Sequence, residues 1–331
     1  MKVLVTGGAG FIGSNFIRYI MHRYPNYEVI NVDLLNYAGN LNNLRDMVHF
    51  PQYKFIRGDI TNPQLIEEIM SQNVDVIINF AAESHVDRSI KHPEYFVKTN
   101  IIGTQTLLEA ARKYKVRKFI QISTDEVYGS LDMNGFFTEE TPLAPNSPYS
   151  ASKASADLLV RSYFKTYGMP VIITRCSNNF GPYQFPEKLI PFMITRALED
   201  QPLPIYGDGR HIRDWLHVED HCSALDLVMH MGKAGEIYNI GGTNERANFD
   251  VVKIILSLLN KPESLIQFVQ DRPGHDRRYA IDAKKIRMEL GWRPKHSFEK
   301  GITETIRWYK EHMDWWKPII RERRMADDGG G

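Results

Sequence analysis

The chain has 331 residues, of which 43% are hydrophobic and 24% charged, with 41 Lys and Arg against 40 Asp and Glu. That length allows about two domains with a substantial core. The balanced charge excludes a global field that would gather nucleic acid or an anionic membrane surface, so any anionic ligand must be held by local basic residues.

An apolar run at residues 2–5 leads into Thr6-Gly7-Gly8-Ala9-Gly10-Phe11-Ile12-Gly13, after which Phe16, Ile17 and Ile20 continue a helical spacing. The first few residues resemble a signal peptide, but the glycines interrupt it before an apolar core forms. No apolar run reaches the ~18 residues of a membrane span. The two cysteines, Cys176 and Cys222, lack metal-ligand spacing and read as small core residues in a reducing compartment. A cytoplasmic protein with no membrane partner is therefore expected.

Strand, glycine turn and helix form the setting of a dinucleotide fingerprint. Gly7 suits the tight turn, Gly10 lets a pyrophosphate approach the backbone, and Gly13 lets helix and strand pack closely. The helix start then offers free N–H groups to phosphate. The next strand, 28–32, ends at Asp33, 20 residues beyond Gly13. A carboxylate there accepts hydrogen bonds from ribose hydroxyls and repels a 2′-phosphate, which selects NAD over NADP.

Strand and helix go on alternating: strand 54–57 before Gly58 and Asp59, helix 64–70, a buried strand 74–78, a long helix 93–114 opened by Pro93, and strand 118–122. The expected fold is α/β, a Rossmann-like doubly wound parallel sheet with a smaller mixed C-terminal substrate domain. Ala81 and Ala82 suit close approach of a cofactor, and loop packing explains them about as well. Ser123 through Gly129 follow a strand's carboxyl end, where open α/β sheets bind ligands. The loop 129–147 has the length of a lid or substrate loop. In the helix expected at 148–167, the spacing of four puts Tyr149 and Lys153 on one face.

Beyond Pro182 the alternation weakens, and Pro186, Pro191, Pro202 and Pro204 punctuate short elements. This places an NAD-binding domain at 1–181, with possible later returns of the chain into it, and a mainly substrate-binding domain at 182–324. Residues 325–331 read as a flexible tail. Helical patterns recur at 218–231, 251–260, 283–290 and 298–312. His217 and His221 have the spacing of a helical zinc pair, but the order His217-Val218-Glu219-Asp220-His221 is not that of a zinc motif; a structural role and no metal are expected.

The glycine turn together with Tyr149 and Lys153 resembles the extended short-chain dehydrogenase/reductase family. Thr124-Asp125-Glu126 followed by Val127-Tyr128-Gly129 is similar to its dTDP-glucose 4,6-dehydratases. Segments 79–89, 146–150, 186–191, 213–218 and 272–279 extend the resemblance over nearly the whole chain. It implies NAD as cofactor, dTDP-glucose or a related nucleotide sugar as substrate, and a homodimer built on helices 93–114 and 148–167.

In that chemistry Tyr149 takes the proton of the sugar's carbon-4 hydroxyl as carbon 4 is oxidised. Glu126 then removes the carbon-5 proton, protonated Asp125 donates to the departing carbon-6 hydroxyl, and Thr124 hydrogen-bonds near the carbon-4 oxygen. Bringing a tyrosine from ~10 to ~7 takes about 4 kcal/mol. One ammonium at ~4 Å in an effective dielectric of ~20 contributes about that much, so Lys153 is expected to activate Tyr149 almost alone, with the nicotinamide charge assisting.

The resemblance also implies a cofactor set of Gly7, Gly10, Phe11, Ile12, Gly13, Asp33, Asn36, Asp59, Ile60, Ala81, Ala82, Ser84, Thr99, Asn179, Tyr149 and Lys153. For the nucleotide sugar it implies Ser84, Thr124, Asn178, Leu189, Pro204, Tyr206, Asn248 and His275, with Lys188, Arg213 and Arg272 as cations for the diphosphate. A 4,6-dehydratase acting on a GDP-, CDP- or UDP-sugar stays open. A 4-epimerase would share Tyr149 and Lys153 but has no use for Asp125 and Glu126, and a silent NAD-binding protein needs none of the four.

Overall fold

The structure, a computed structural model, describes residues 1–328. Its first half alternates strand and helix: β1 (Lys2–Thr6), α1 (Phe11–Arg23), β2 (Glu28–Asp33), β3 (Tyr53–Arg57), α2 (Pro63–Met70), β4 (Val76–Asn79), α3 (Val86–Lys91), α4 (Pro93–Phe96), α5 (Thr104–Lys113), β5 (Lys118–Thr124), α6 (Pro148–Tyr167) and β6 (Val171–Cys176). The second half is mixed: β7 (Asn178–Phe180), α7 (Leu189–Leu198), β8 (Leu203–Tyr206), β9 (Ile212–His217), α8 (Val218–Met231), β10 (Ile237–Ile240), β11 (Glu245–Ala247), α9 (Asn248–Leu259), β12 (Ile266–Val269), α10 (Lys284–Leu290), α11 (Phe298–Glu311) and α12 (Met313–Asp328).

Seven parallel strands form the main sheet in the order β10-β6-β5-β4-β1-β2-β3. The strand order reverses between β1 and β4, and a crevice opens there at the carboxyl ends, as in a doubly wound sheet. A buried polar ladder holds these ends in register: Thr6 donates to Asn79 (2.6 Å), and Asn79 donates to Gln121 (2.9 Å). One sheet face packs on Phe16 and Ile17 of α1, Leu225 of α8 and Ile286 of α10. The other packs on Ile66 of α2, Leu107 of α5 and Val160 of α6. Thus β10, α8 and α10 bring the chain back to the main sheet after Pro182.

A separate core under the second half joins Ile190, Val251, Ile302 and Trp316, with β11-β9-β7 and β12-β8 as small sheets. Helix α7 lies where proline punctuation suggested only short elements. Pro191 sits in its first turn, where a missing N–H costs nothing. Helix α12 carries the chain through residue 328, so part of the stretch read as a tail, 325–328, is helical; the rest of it lies outside the described residues.

Two further expectations change in the structure. The helix at 93–114 is divided by a π-helical stretch, Val97–Gly103, between α4 and α5. That wider turn aims Asn100 inward, where it donates to the Glu83 carbonyl (3.0 Å) and Ser152 Oγ (2.8 Å) and ties the loop after β4 to α6. The loop 129–147 is anchored rather than lid-like: Leu131 N–H donates to the Arg278 carbonyl (3.0 Å) and Phe137 N–H to Ala280 (2.9 Å). Phe137 also packs with Tyr128, Tyr279 and Ile281.

Candidate active site

Strand β5 leaves the sheet at Thr124, whose hydroxyl accepts from the Glu126 N–H (3.3 Å) and caps a 3-10 turn, Asp125–Tyr128. The turn ends at Gly129, with φ 91°, where a Cβ would lie 2.4 Å from the Ala144 carbonyl oxygen, so a side chain there is excluded twice over. This roll buries Asp125 and leaves Glu126 half-buried. Facing it, α6 starts with Ser147 and Ser150 in a reciprocal capping box and Pro148 in the first turn, which fixes Tyr149 and Lys153 at the helix start. Both are buried.

The two carboxyls have different surroundings. Burial holds Asp125 well above the usual carboxylate range, and the charges of Glu126 and Asp214 add to it. Burial also raises Glu126, but Arg213, Arg272 and Lys188 pull it back. Asp125 therefore suits an acid and Glu126 a base. One Asp125 oxygen meets the Thr124 hydroxyl at 3.2 Å, and the other has no partner among the described residues.

Lys153 does not activate Tyr149 almost alone in this structure. Burial holds the phenol well above its ordinary value, Glu126 raises it further, and a hydrogen bond with Thr124 acts the other way. Burial depresses Lys153, opposed by Asp157, and its ammonium donates to the Ile122 carbonyl (2.6 Å). Desolvation of the phenol and of the ammonium outweighs the attraction between them here.

All of the expected cofactor residues line one cavity at the strand ends. A Cβ at Gly7 (φ 68°) would lie 2.6 Å from Ala81 N, and one at Gly13 would lie 2.5 Å from the Gly7 carbonyl oxygen. At Gly10 the nearest atom would be 3.2 Å away, so what demands a glycine there is a ligand's approach more than the protein's own packing. No side chain caps α1, which leaves its first N–H groups open to phosphate. Asp33 is oriented by the N–H groups of Ala9 (2.9 Å) and Leu35 (2.8 Å). The donor set and the glycine cradle fit a dinucleotide without a 2′-phosphate.

A second cavity meets the first along Ser84, Glu126, Asn178 and Lys188. It is lined by Leu189, Pro204, Tyr206, Arg213, Asn248, Arg272 and His275, the rest of the expected substrate set apart from Thr124, which lines the first cavity. The three expected cations already have partners. Lys188 donates to the Ser84 carbonyl (2.9 Å), and Arg213 to the Ile212 (2.8 Å) and Asp276 (3.0 Å) carbonyls. Arg272 meets Asp87 at 3.4 Å.

Sequence reasoning missed several cavity residues. Tyr37 and Phe185 form an edge contact, with ring centroids 5.8 Å apart, beside the cofactor cavity, and the Arg88 guanidinium lies 3.7 Å from the Tyr37 ring centroid. Asn100 carried no signal, since its role depends on the π turn. The histidines of the zinc-like pair are separately employed: His217 accepts from the Glu219 N–H (3.4 Å), and His221 pairs with Asn179 (2.9 Å).

The family described as GDP-mannose 4,6 dehydratase matches residues 4–305. The chain is 51% identical to a dTDP-glucose 4,6-dehydratase of Xanthomonas campestris, over 96% of this chain and 95% of that one. Among solved structures, a dTDP-glucose 4,6-dehydratase from Bacillus anthracis in complex with NAD is 56% identical with a TM-score of 0.91, covering 96% of this chain and 99% of that one. One from Streptomyces venezuelae, with NAD and the ligand TYD bound, is 50% identical with a TM-score of 0.94, covering 96% and 100%. With these likenesses running nearly end to end, the chain belongs to the dTDP-glucose 4,6-dehydratase family of extended short-chain dehydrogenases/reductases.

Proposed function

We propose that the protein converts dTDP-D-glucose to dTDP-4-keto-6-deoxy-D-glucose with loss of water. The observation that carries this is the pair Asp125, lining the first cavity, and Glu126, at the junction of the two: burial raises both, and for Glu126 alone three cations, Arg213, Arg272 and Lys188, lead the opposition to it. An epimerase or a binding module has no use for that pair.

Gly7, Gly10, Gly13 and Asp33 would hold NAD, with Tyr149 and Lys153 lining the same cavity. Bound NAD supplies the hydride acceptor for carbon 4 and the hydride returned to carbon 6. Tyr149 accepts the carbon-4 hydroxyl proton, helped by Thr124. Burial, and after it the charge of Glu126, oppose its ionisation, so the phenol is matched to a site whose positive charge is completed on binding. The carbon-4 ketone makes the carbon-5 proton acidic. Glu126 removes it and later returns it, while Asp125 protonates the carbon-6 hydroxyl as it departs as water. Lys188, Arg213 and Arg272 offset the diphosphate's charge, and Asn178, Asn248 and His275 shape the nucleotide pocket.

The same reading assigns residues 1–181, with the returning β10, to NAD and 182–324 mainly to the nucleotide sugar. It also includes a homodimer in the cytoplasm. Exposed Tyr95, Val97 and Ile102 around the π turn and Leu158 on α6 support the pairing. The free, buried Cys176 and Cys222 fit a reducing compartment. No helix among the described residues is long and apolar enough to cross a membrane. Incubation with several nucleotide hexoses, read by mass spectrometry, tests the activity. Loss of water from dTDP-glucose is expected, and its absence, or epimerisation without mass change, would overturn the reading.

A further inference from the structure

Asp87 lines the second cavity but has no part in the chemistry above. It lies in the first turn of α3, on the main-sheet side, and its Oδ1 is 3.4 Å from Arg272 Nη1. Tyr206 lines the same cavity, and its phenol is held above its ordinary value by burial and then by the nearby Asp87 charge. Arg272 follows β12 and Tyr206 ends β8, so this carboxylate reaches across the cleft to the side of the β12-β8 sheet through Arg272.

The Arg272 fork is only partly used. Nη1 faces Asp87, whereas the buried Nε has no hydrogen-bond partner among the described residues. A guanidinium is matched to two acceptors held side by side, which a phosphate provides and this single carboxylate oxygen does not. The pair is also partly wetted, with side-chain exposures of 34% for Asp87 and 24% for Arg272, so it can open without stranding a dry charge.

We propose that Asp87 is an internal competitor for the ligand's diphosphate: it holds Arg272 across the cleft, yields it when a nucleoside diphosphate binds, and retakes it on release. The identity of that anion rests on the nucleotide-sugar reading above. Substrate and product carry the same diphosphate, so a contact that strengthens both equally slows product release without helping the chemical steps. A carboxylate ready to reclaim Arg272 trims that shared affinity and sets how fast the pocket empties.

The test is binding, without turnover, of dTDP to the purified protein and to Asp87→Asn, with uncharged thymidine as a second probe. Losing one partly exposed ion pair should tighten dTDP about threefold to tenfold, mainly through slower dissociation, and leave thymidine unchanged. In an Arg272→Ala background Asp87→Asn should have no effect on dTDP. Weaker dTDP binding by Asp87→Asn would make Asp87 a ligand contact and overturn the proposal. So would unchanged affinity, or an equal change for thymidine, which would mark a purely structural role. Failure of dTDP to bind the unmodified protein would instead overturn the nucleotide-sugar reading, and the two failures are distinguishable.

Discussion

Replacing Glu126 by Gln keeps the side chain's size and leaves the Glu126 N–H to Thr124 bond intact, so the 3-10 turn should persist. It removes the group assigned to the carbon-5 proton. Asp125 is a poor substitute, because burial holds its carboxyl well above the usual carboxylate range. The loss is that of a positioned general base, about 10²–10⁴-fold in turnover, or about 3–5 kcal/mol. The first oxidation should respond in the opposite sense. After burial, Glu126 is the largest cause of the raised Tyr149 phenol, so neutralising it lowers that value and makes the ionised phenol available at lower pH. Rapid mixing of Glu126→Gln with dTDP-glucose should show NADH forming and persisting, with the acid limb of its formation moved to lower pH. Mass spectrometry should show little loss of water. Tyr149→Phe is the contrast and should form no NADH. Normal dehydration by Glu126→Gln, or an acid limb moved to higher pH, would refute the assignment.

Gly13→Ala puts a Cβ 2.5 Å from the Gly7 carbonyl oxygen, so α1 must shift; a stability loss of about 1–3 kcal/mol and at least about tenfold weaker NAD binding are expected by denaturation and NAD titration. Gly10→Ala, with 3.2 Å of room, should weaken NAD with a smaller stability loss. Asp157 and Arg175 form a buried pair at 2.9 Å with side-chain exposures of 1% and 4%. Asp157→Ala strands the guanidinium and should cost about 3–5 kcal/mol in urea unfolding. His296 is raised from 6.5 by Asp220, whose carboxylate lies 3.1 Å from its Nδ1, and Asp220 is lowered because the His296 ring and the Lys295 and His296 N–H groups outweigh its burial. Stability from the raised His296 is complete below about pH 6.5 and fades as pH rises through its folded value, while the Asp220 share is lost only as pH falls through a depressed carboxyl value. The melting-temperature deficit of His296→Ala should therefore be larger near pH 5.5 than near pH 9, and an equal deficit at both would refute the pairing.

The sequence by itself determined the sheet, the glycine turn and the chemical groups. Apolar runs ending in glycine mark buried parallel strands, and Asp33 after β2 and Tyr149 with Lys153 on α6 follow from local spacing. Such features depend on neighbours within about one helical turn or one strand, which the order of residues specifies directly. Tertiary structure decided what depends on distant partners. Proline punctuation concealed α7, and the wide turn at Val97–Gly103 became visible only through what Asn100 reaches on α6. The return of β10 to the main sheet follows from pairing with β6, far from it in sequence. The same division runs through the site. Sequence supplied a phenol, an amine and two carboxyls, but burial decided how tightly each holds its proton, because desolvation depends on the whole surrounding fold. Asp87 against Arg272, 185 residues apart, was invisible until the two halves of the chain closed on one cleft.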